Sequence, residues 1–255
     1  MKALAILFLV FLFGCQTMQK APPAEFATDE EFRAWFAFYY RAPEPERLSM
    51  AIRFMDKKGY LEKHPDIAGA FISMIIERNP SMLPIWIDQL AESNAQTWNV
   101  FLISVWMSNY SGFEHLLGTH AAKLDPENQT RLKSLVKKDP APYDLKQITI
   151  FDPRQINMLW AAYSVTGEKD YVAKIINYVE LYQPDTGELE SQIGETAIMT
   201  LATNSMQYEE VKALCQSAEK EHPSERTRIL LEAMLGAVEN IVADAQKESQ
   251  QMPAH

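Results

Sequence analysis

Between Val100 and Met107 the chain runs for eight residues with Ser104 as its one polar side chain. Spanning a bilayer takes about 20 residues, so this stretch is a core segment. The pattern predicts a helix over Asn94 to Tyr110 that is apolar almost all round between Val100 and Met107. Such a helix has to be enclosed by others on several sides. We therefore place Trp98, Phe101, Val105 and Trp106 at the centre of an N-terminal core. Glycine is scarce, at nine residues, and helix formers dominate. The expected fold is all-α.

Stop and start signals divide the rest into further helices. Thr28, with Glu31 three positions on, reads as a capping box. It is followed by Phe32, Trp35, Phe36 and Tyr39 on one helical face, with Phe38 and Tyr40 off it. Further helices are predicted over 43–58, with Gly59 as the stop, over 65–78 with Pro65 in the first turn, and over 81–92. Two more are expected over 113–123 and 126–138, the second capped by Asp125. Asp139-Pro140-Ala141-Pro142 then breaks the pattern, and 139–151 reads as a linker between subdomains or a long surface connection. Asp152-Pro153 opens the next helix, which Thr166-Gly167 closes, and four more are expected over 170–182, 194–204, 207–221 and 224–247. The resulting map is a helical subdomain over 28–138, a linker over 139–151, a second helical subdomain over 152–247 and a tail over 248–255.

In the second half, Tyr208, Val211, Cys215, Ala218 and Pro223 stand at offsets 0, 3, 7, 10 and 15. This spacing resembles the second helix of a tetratricopeptide repeat. The resemblance implies stacked antiparallel helical hairpins with a concave groove that takes peptides or proteins. A compact α-bundle is the alternative. On the hairpin reading, Trp160, Tyr163, Tyr171 and Tyr178 are the candidate partner-binding residues.

Residues 1–14 read as a targeting segment. Lys2 supplies a positive start, and Ala3 to Phe13 form an uncharged apolar run. Leu12-Phe13-Gly14-Cys15 closes it. That ending resembles the lipobox of bacterial lipoproteins, with Phe13 where a small residue is usual. By this resemblance Cys15 becomes the mature N-terminus and carries a diacylglycerol thioether and fatty acyl chains such as palmitate. Several acyl chains hold a protein firmly, because each buried methylene contributes about 0.8 kcal/mol. Gln16 follows the cysteine, and the absence of aspartate there implies the outer membrane, periplasmic face; an inner-membrane or secreted form is the alternative. Residues 15–27, with Pro22-Pro23, read as a tether.

The formal charge of −10 argues against nucleic acid, and against an anionic lipid surface, as a partner. No catalytic signature stands out: there is no HExxH, no GxSxG, no P-loop and no CxxC. His115 and His120 are five apart, about 140° around a helix, which separates them as metal ligands. Neither cofactor nor metal is expected, and the chain does not read as an enzyme. Glu92-Ser93 and Glu190-Ser191 bear a partial resemblance to the catalytic Glu-Ser of lytic transglycosylases, without the Gly-Leu-Met-Gln segment that follows it there. The leading expectation is a lipid-anchored envelope protein that binds other proteins as a scaffold or assembly factor. A peptidoglycan hydrolase and a purely structural lipoprotein are the alternatives.

Overall fold

The computed structural model describes residues 25–138, 143–184 and 186–251. Thirteen α-helices and several 3-10 turns make up its regular structure, with no strand among the described residues. The fold is all-α. The first seven helices are α1 (Asp29–Ala37), α2 (Leu48–Lys57), α3 (Tyr60–Lys63), α4 (Pro65–Arg78), α5 (Leu83–Gln89), α6 (Ala95–Met107) and α7 (Phe113–His120). They continue with α8 (Pro126–Lys138), α9 (Pro153–Thr166), α10 (Lys169–Asn177), α11 (Leu189–Gln207), α12 (Glu209–Glu221) and α13 (Glu225–Gln251). None among the described residues is long and apolar enough to cross a membrane.

Local chemistry sets the helix ends. Thr28 Oγ1 accepts from the Glu31 amide at 3.1 Å, which satisfies one of the free N–H groups of the first turn. Glu31 reaches back one residue further than in a capping box, accepting from the Ala27 amide at 2.8 Å. Asn94 caps α6 through the Thr97 amide, and Asp125 caps α8 through the Asn128 amide. Asp152 and Gln155 form a complete capping box on α9. Gly59 and Gly167, at φ 71° and 67°, supply the left-handed residues at helix boundaries. Caps of this kind are each worth about 1 kcal/mol.

Packing centres on α4. Every residue from Ala68 to Ile76 is buried, because α6 lies against one side of the helix and α9 against another. Small side chains make the approach possible. A β-carbon at Gly69 would lie 3.6 Å from Met107 Sδ on α6. On α9, Ala161 and Ala162 are both buried. The buried hydroxyls of Ser73 and Ser104 bond to the Ala70 and Val100 carbonyls, at 2.8 and 2.7 Å, and so need no partner on another helix. Through α4 and α9, the helices on either side of 139–151 share one contiguous apolar core. The described end of that segment lies over the core. Leu145 and Ile150 are buried, and the Lys174 ammonium donates to the Lys146 and Ile148 carbonyls at 2.6 and 2.5 Å.

Three further helices, α11, α12 and α13, pack on one another, and α11 also meets α9. Tyr208, Val211 and Cys215 form the inward side of α12. The last helix continues to Gln251, so residues 248–251, read from the sequence as a tail, are helical. At the other end, the two aromatics off the α1 face turn towards α12. Phe38 packs edge-on against Tyr208, with centroids 5.1 Å apart, and the Tyr40 hydroxyl donates to Glu210.

Two glycines separate packing from helix propensity. A β-carbon at Gly194 on α11 would sit 2.2 Å from the Tyr182 backbone nitrogen, whereas one at Gly236 on α13 would meet nothing within 4 Å. Propensity alone favours alanine at either site by about 1 kcal/mol. Gly236→Ala should therefore raise the unfolding free energy by about that amount. Gly194→Ala should lower it by about 1–3 kcal/mol, because backbone has to move to admit the methyl group. Denaturant melts of the two variants test this, and equal shifts of the same sign would contradict it.

Candidate functional site

Cys15, the residue expected to carry the lipid, lies outside the described residues, as do residues 16–24 of the expected tether. Of the four aromatics assigned to a groove, Tyr163 and Tyr171 are buried, at 5% and 4% exposure, and Trp160 and Tyr178 are half-buried against the core. Trp160 and Tyr163 are neighbours on α9, with centroids 5.8 Å apart. Tyr171 sits elsewhere, its hydroxyl 3.6 Å from Met74 Sδ and Lys146 over its ring. Tyr178 accepts from the Ile150 amide at 3.0 Å. Tyr171 and Tyr178 are thus engaged with neighbours other than the Trp160–Tyr163 pair.

His120 and His222 have structural partners. His120 stacks on Trp98 with centroids 5.0 Å apart, and its pKa is lowered by burial and then by Lys123. His222 bonds to the Asn177 side chain at 2.9 Å. The thiol of Cys215 is buried and free, and burial pushes its pKa up to about 11. Glu92 and Glu190 are exposed. No group of three or more His, Cys, Asp or Glu among the described residues is arranged to hold a metal ion.

The structure brings together three features that the pattern of residues did not reveal. The first is a pair of recesses beside α1. One, of about 250 Å³, has an almost wholly apolar surface and is lined by Phe32, Phe36, Met55, Tyr60 and Ile67, together with Arg33 and His64. The other, of about 410 Å³, is lined by Phe26, Arg53, Phe54, Lys57 and Lys58, together with Glu25. Phe32 and Phe54 stack at 4.8 Å, one ring in the wall of each recess. The described chain enters here: Phe26 packs edge-on against Phe32, at 5.4 Å.

A second feature is a charged cleft of about 500 Å³ between the end of α4, the 143–146 segment and the α9–α10 turn. Arg78 pairs with Glu168 at 2.7 Å, and Lys146 pairs with the same carboxylate and lies 3.7 Å from Asp170. Lys146 is the main cause that holds the Glu168 carboxyl below the usual range. Glu77, in the same cleft, is held above it by burial, with Arg78 opposing.

The third feature is the free end of α13. Thr227, Leu231, Met234, Leu235 and Val238 are buried at helical spacing. Ile241 and Val242 continue the same stripe, yet they are 56% and 38% exposed, and every residue from 239 to 245 is exposed. The helix projects past its cover. Met199 and Met206, seven apart on α11, are also exposed.

No family model, no curated protein and no solved structure matches this chain. Its surfaces have to be interpreted from their own chemistry.

The contact between Glu210 and the Tyr40–Arg41 corner closes the N-terminal region onto α12. Arg41 donates to both Glu210 oxygens, at 2.8 and 2.9 Å. The hydroxyl of Tyr40, followed by Arg41, keeps the Glu210 carboxyl below its ordinary value of 4.5. A carboxyl depressed in the fold contributes stability above its unfolded pKa, and that contribution disappears as pH falls through the folded one. The pair is about one-third to one-half exposed, so solvent screens it. Glu210→Gln should cost about 1 kcal/mol at pH 7. Wild type and variant should converge as pH is lowered beneath 4.5. Urea melts across pH would contradict the assignment if the difference widened in acid.

Proposed function

We propose that this protein is a lipid-anchored envelope protein, held at the periplasmic face of the outer membrane through Cys15. Its helical domain binds another envelope protein and serves as a scaffold or assembly factor. The observation that carries the protein-binding half is the free end of α13. An apolar stripe that is core as far as Val238 continues uncovered through Ile241 and Val242. A protein helix laid along that stripe would extend the existing core, burying residues at the same i, i+3, i+4 spacing. The hairpins α9–α10 and α11–α12, read as tetratricopeptide-like, belong to the same proposal. The anchoring half is supported by Leu12-Phe13-Gly14-Cys15 after its apolar run.

The two halves have separate tests. Cys15→Ser should abolish fatty-acid labelling and shift the protein out of the outer-membrane fraction. Unchanged labelling would sink the anchor. For the partner, a photocrosslinking residue at position 241 should give a discrete protein adduct in intact cells, and one at position 195 on α11 should not. Ile241→Asp with Val242→Asp should reduce co-purification of that protein at least tenfold. Because both residues are exposed, stability should stay within about 0.5 kcal/mol of wild type. Equal adducts at 241 and 195, or undiminished co-purification, would refute the surface.

A further inference from the structure

We propose that the paired recesses beside α1 hold one anionic phospholipid of the anchoring membrane, its acyl chain in the apolar recess and its phosphate at Arg53 and Lys57. This rests on the anchored reading of Cys15.

Three observations select this occupant. The first is chemical: two recesses of opposite character flank one aromatic stack. The apolar one offers aromatic and aliphatic walls suited to a hydrocarbon chain. Across the Phe32–Phe54 stack the other recess presents cationic side chains. Arg53 spends one N–H group on the Gln89 carbonyl at 3.1 Å, leaving others for a phosphate oxygen. Lys58 is tied to Asp29 at 2.6 Å, whereas Lys57 makes no ion pair among the described residues. Glu25 also lines this recess and opposes an anion there, so the attraction has to come from Arg53 and Lys57.

The second is charge. Between residues 47 and 64 there are five Lys and Arg against two Asp and Glu, in a chain of net charge −10. Arg47 and Lys58 are paired with Glu31, Glu44 and Asp29, which leaves Arg53 and Lys57 in the recess, unpaired with any carboxylate among the described residues, to meet an anionic bilayer surface. Overall charge alone argued against such contact; the arrangement of α2 and α3 supplies a local exception.

The third is reach. Nine residues lie between Cys15 and Glu25, so a fully extended chain spans at most about 36 Å from one to the other. Glu25 itself lines the cationic recess. With Cys15 in the bilayer, the face that carries both recesses is the part of the described domain tied nearest to the lipid.

The probe is a phosphatidylglycerol with a photoactivatable diazirine near the end of one acyl chain, in unilamellar vesicles with the full-length lipidated protein. The expected adducts map to 32–36 and 55–68. Changing the probe's headgroup to phosphatidylcholine, or introducing Arg53→Glu with Lys57→Glu, should lower their yield about tenfold. Both substitutions are on exposed side chains. Ala68→Phe, which narrows the apolar recess, should also lower the yield, and its thermal melt shows whether the fold survives. Adducts confined to other helices, such as α13, or a yield indifferent to headgroup and to the paired Glu substitutions, would overturn the site. Wild type that carries the fatty-acid label but gives no recess adducts refutes the lipid site and keeps the anchor. Recess adducts on wild type that lacks the label do the reverse.

Discussion

The enclosure of α4 is the constraint on which the rest depends. Its residues 68–76 are buried without interruption, and the helix is flanked by α6 and α9. Phe71, Ile72, Ile75 and Ile76 are fully buried, and each such side chain contributes about 1.5–3 kcal/mol on leaving water. Truncating any of them would add a cavity to the lost transfer energy, about 2–5 kcal/mol in all. The first half of the chain reaches the second largely through this helix. The α6 helix holds one side of it, and α9 carries α10 and α11 on the other. The recesses also depend on α4: Phe36 stacks on Phe71 at 4.0 Å, which fixes α1 above the apolar recess, and Ile67 and Ala68 form part of the recess wall.

Helix boundaries were legible because they are short-range chemistry. Thr28, Asn94, Asp125 and Asp152 each act on an amide two or three residues away, so the signal and its effect lie in one window of sequence. The shape of the second 3-10 turn and α2 was less legible. The expected helix over 43–58 begins instead as a 3-10 turn at Pro45–Arg47 and becomes α-helical at Leu48. The expected helix over 194–204 is α11, which starts five residues earlier, at Leu189. There Glu190-Ser191-Gln192 is polar and lacks the apolar spacing that marks a face, and Ser191 bonds to the Gln183 backbone.

The candidate surfaces were hidden for a different reason. The apolar recess is made from side chains of α1, α2, α3 and α4, and the other from α2 and the 25–27 segment, brought together only by tertiary packing. The aromatic richness of α1 was visible, but periodicity could not say which rings were core and which were walls. Trp35 and Tyr39 turned inward, Phe32 and Phe36 gained a second role at the recess, and Phe38 and Tyr40 closed onto α12. Likewise, a helical stripe on α13 is read identically whether it is covered or bare. Only the end of its cover distinguishes Val238 from Ile241.

The Tyr40–Arg41–Glu210 contact links these surfaces mechanically. It joins the end of α1 to α12, and α12 packs along α13. Lys212 on α12 also pairs with Glu239, at the point where α13 leaves its cover. From the recesses to the free end of α13 the path therefore runs through packed helices, not through a tether. Charge is divided along the same path. Residues 209–251 carry nine Asp and Glu against five Lys and Arg, opposite in sign to the cationic stretch over 47–64. Anionic headgroups attract the latter and repel the former. With the recess face held against such a bilayer, electrostatics alone would favour orientations that turn α12 and α13 away from the lipid. On the proposed function, Ile241 and Val242 would then stay available to a protein partner rather than to the membrane.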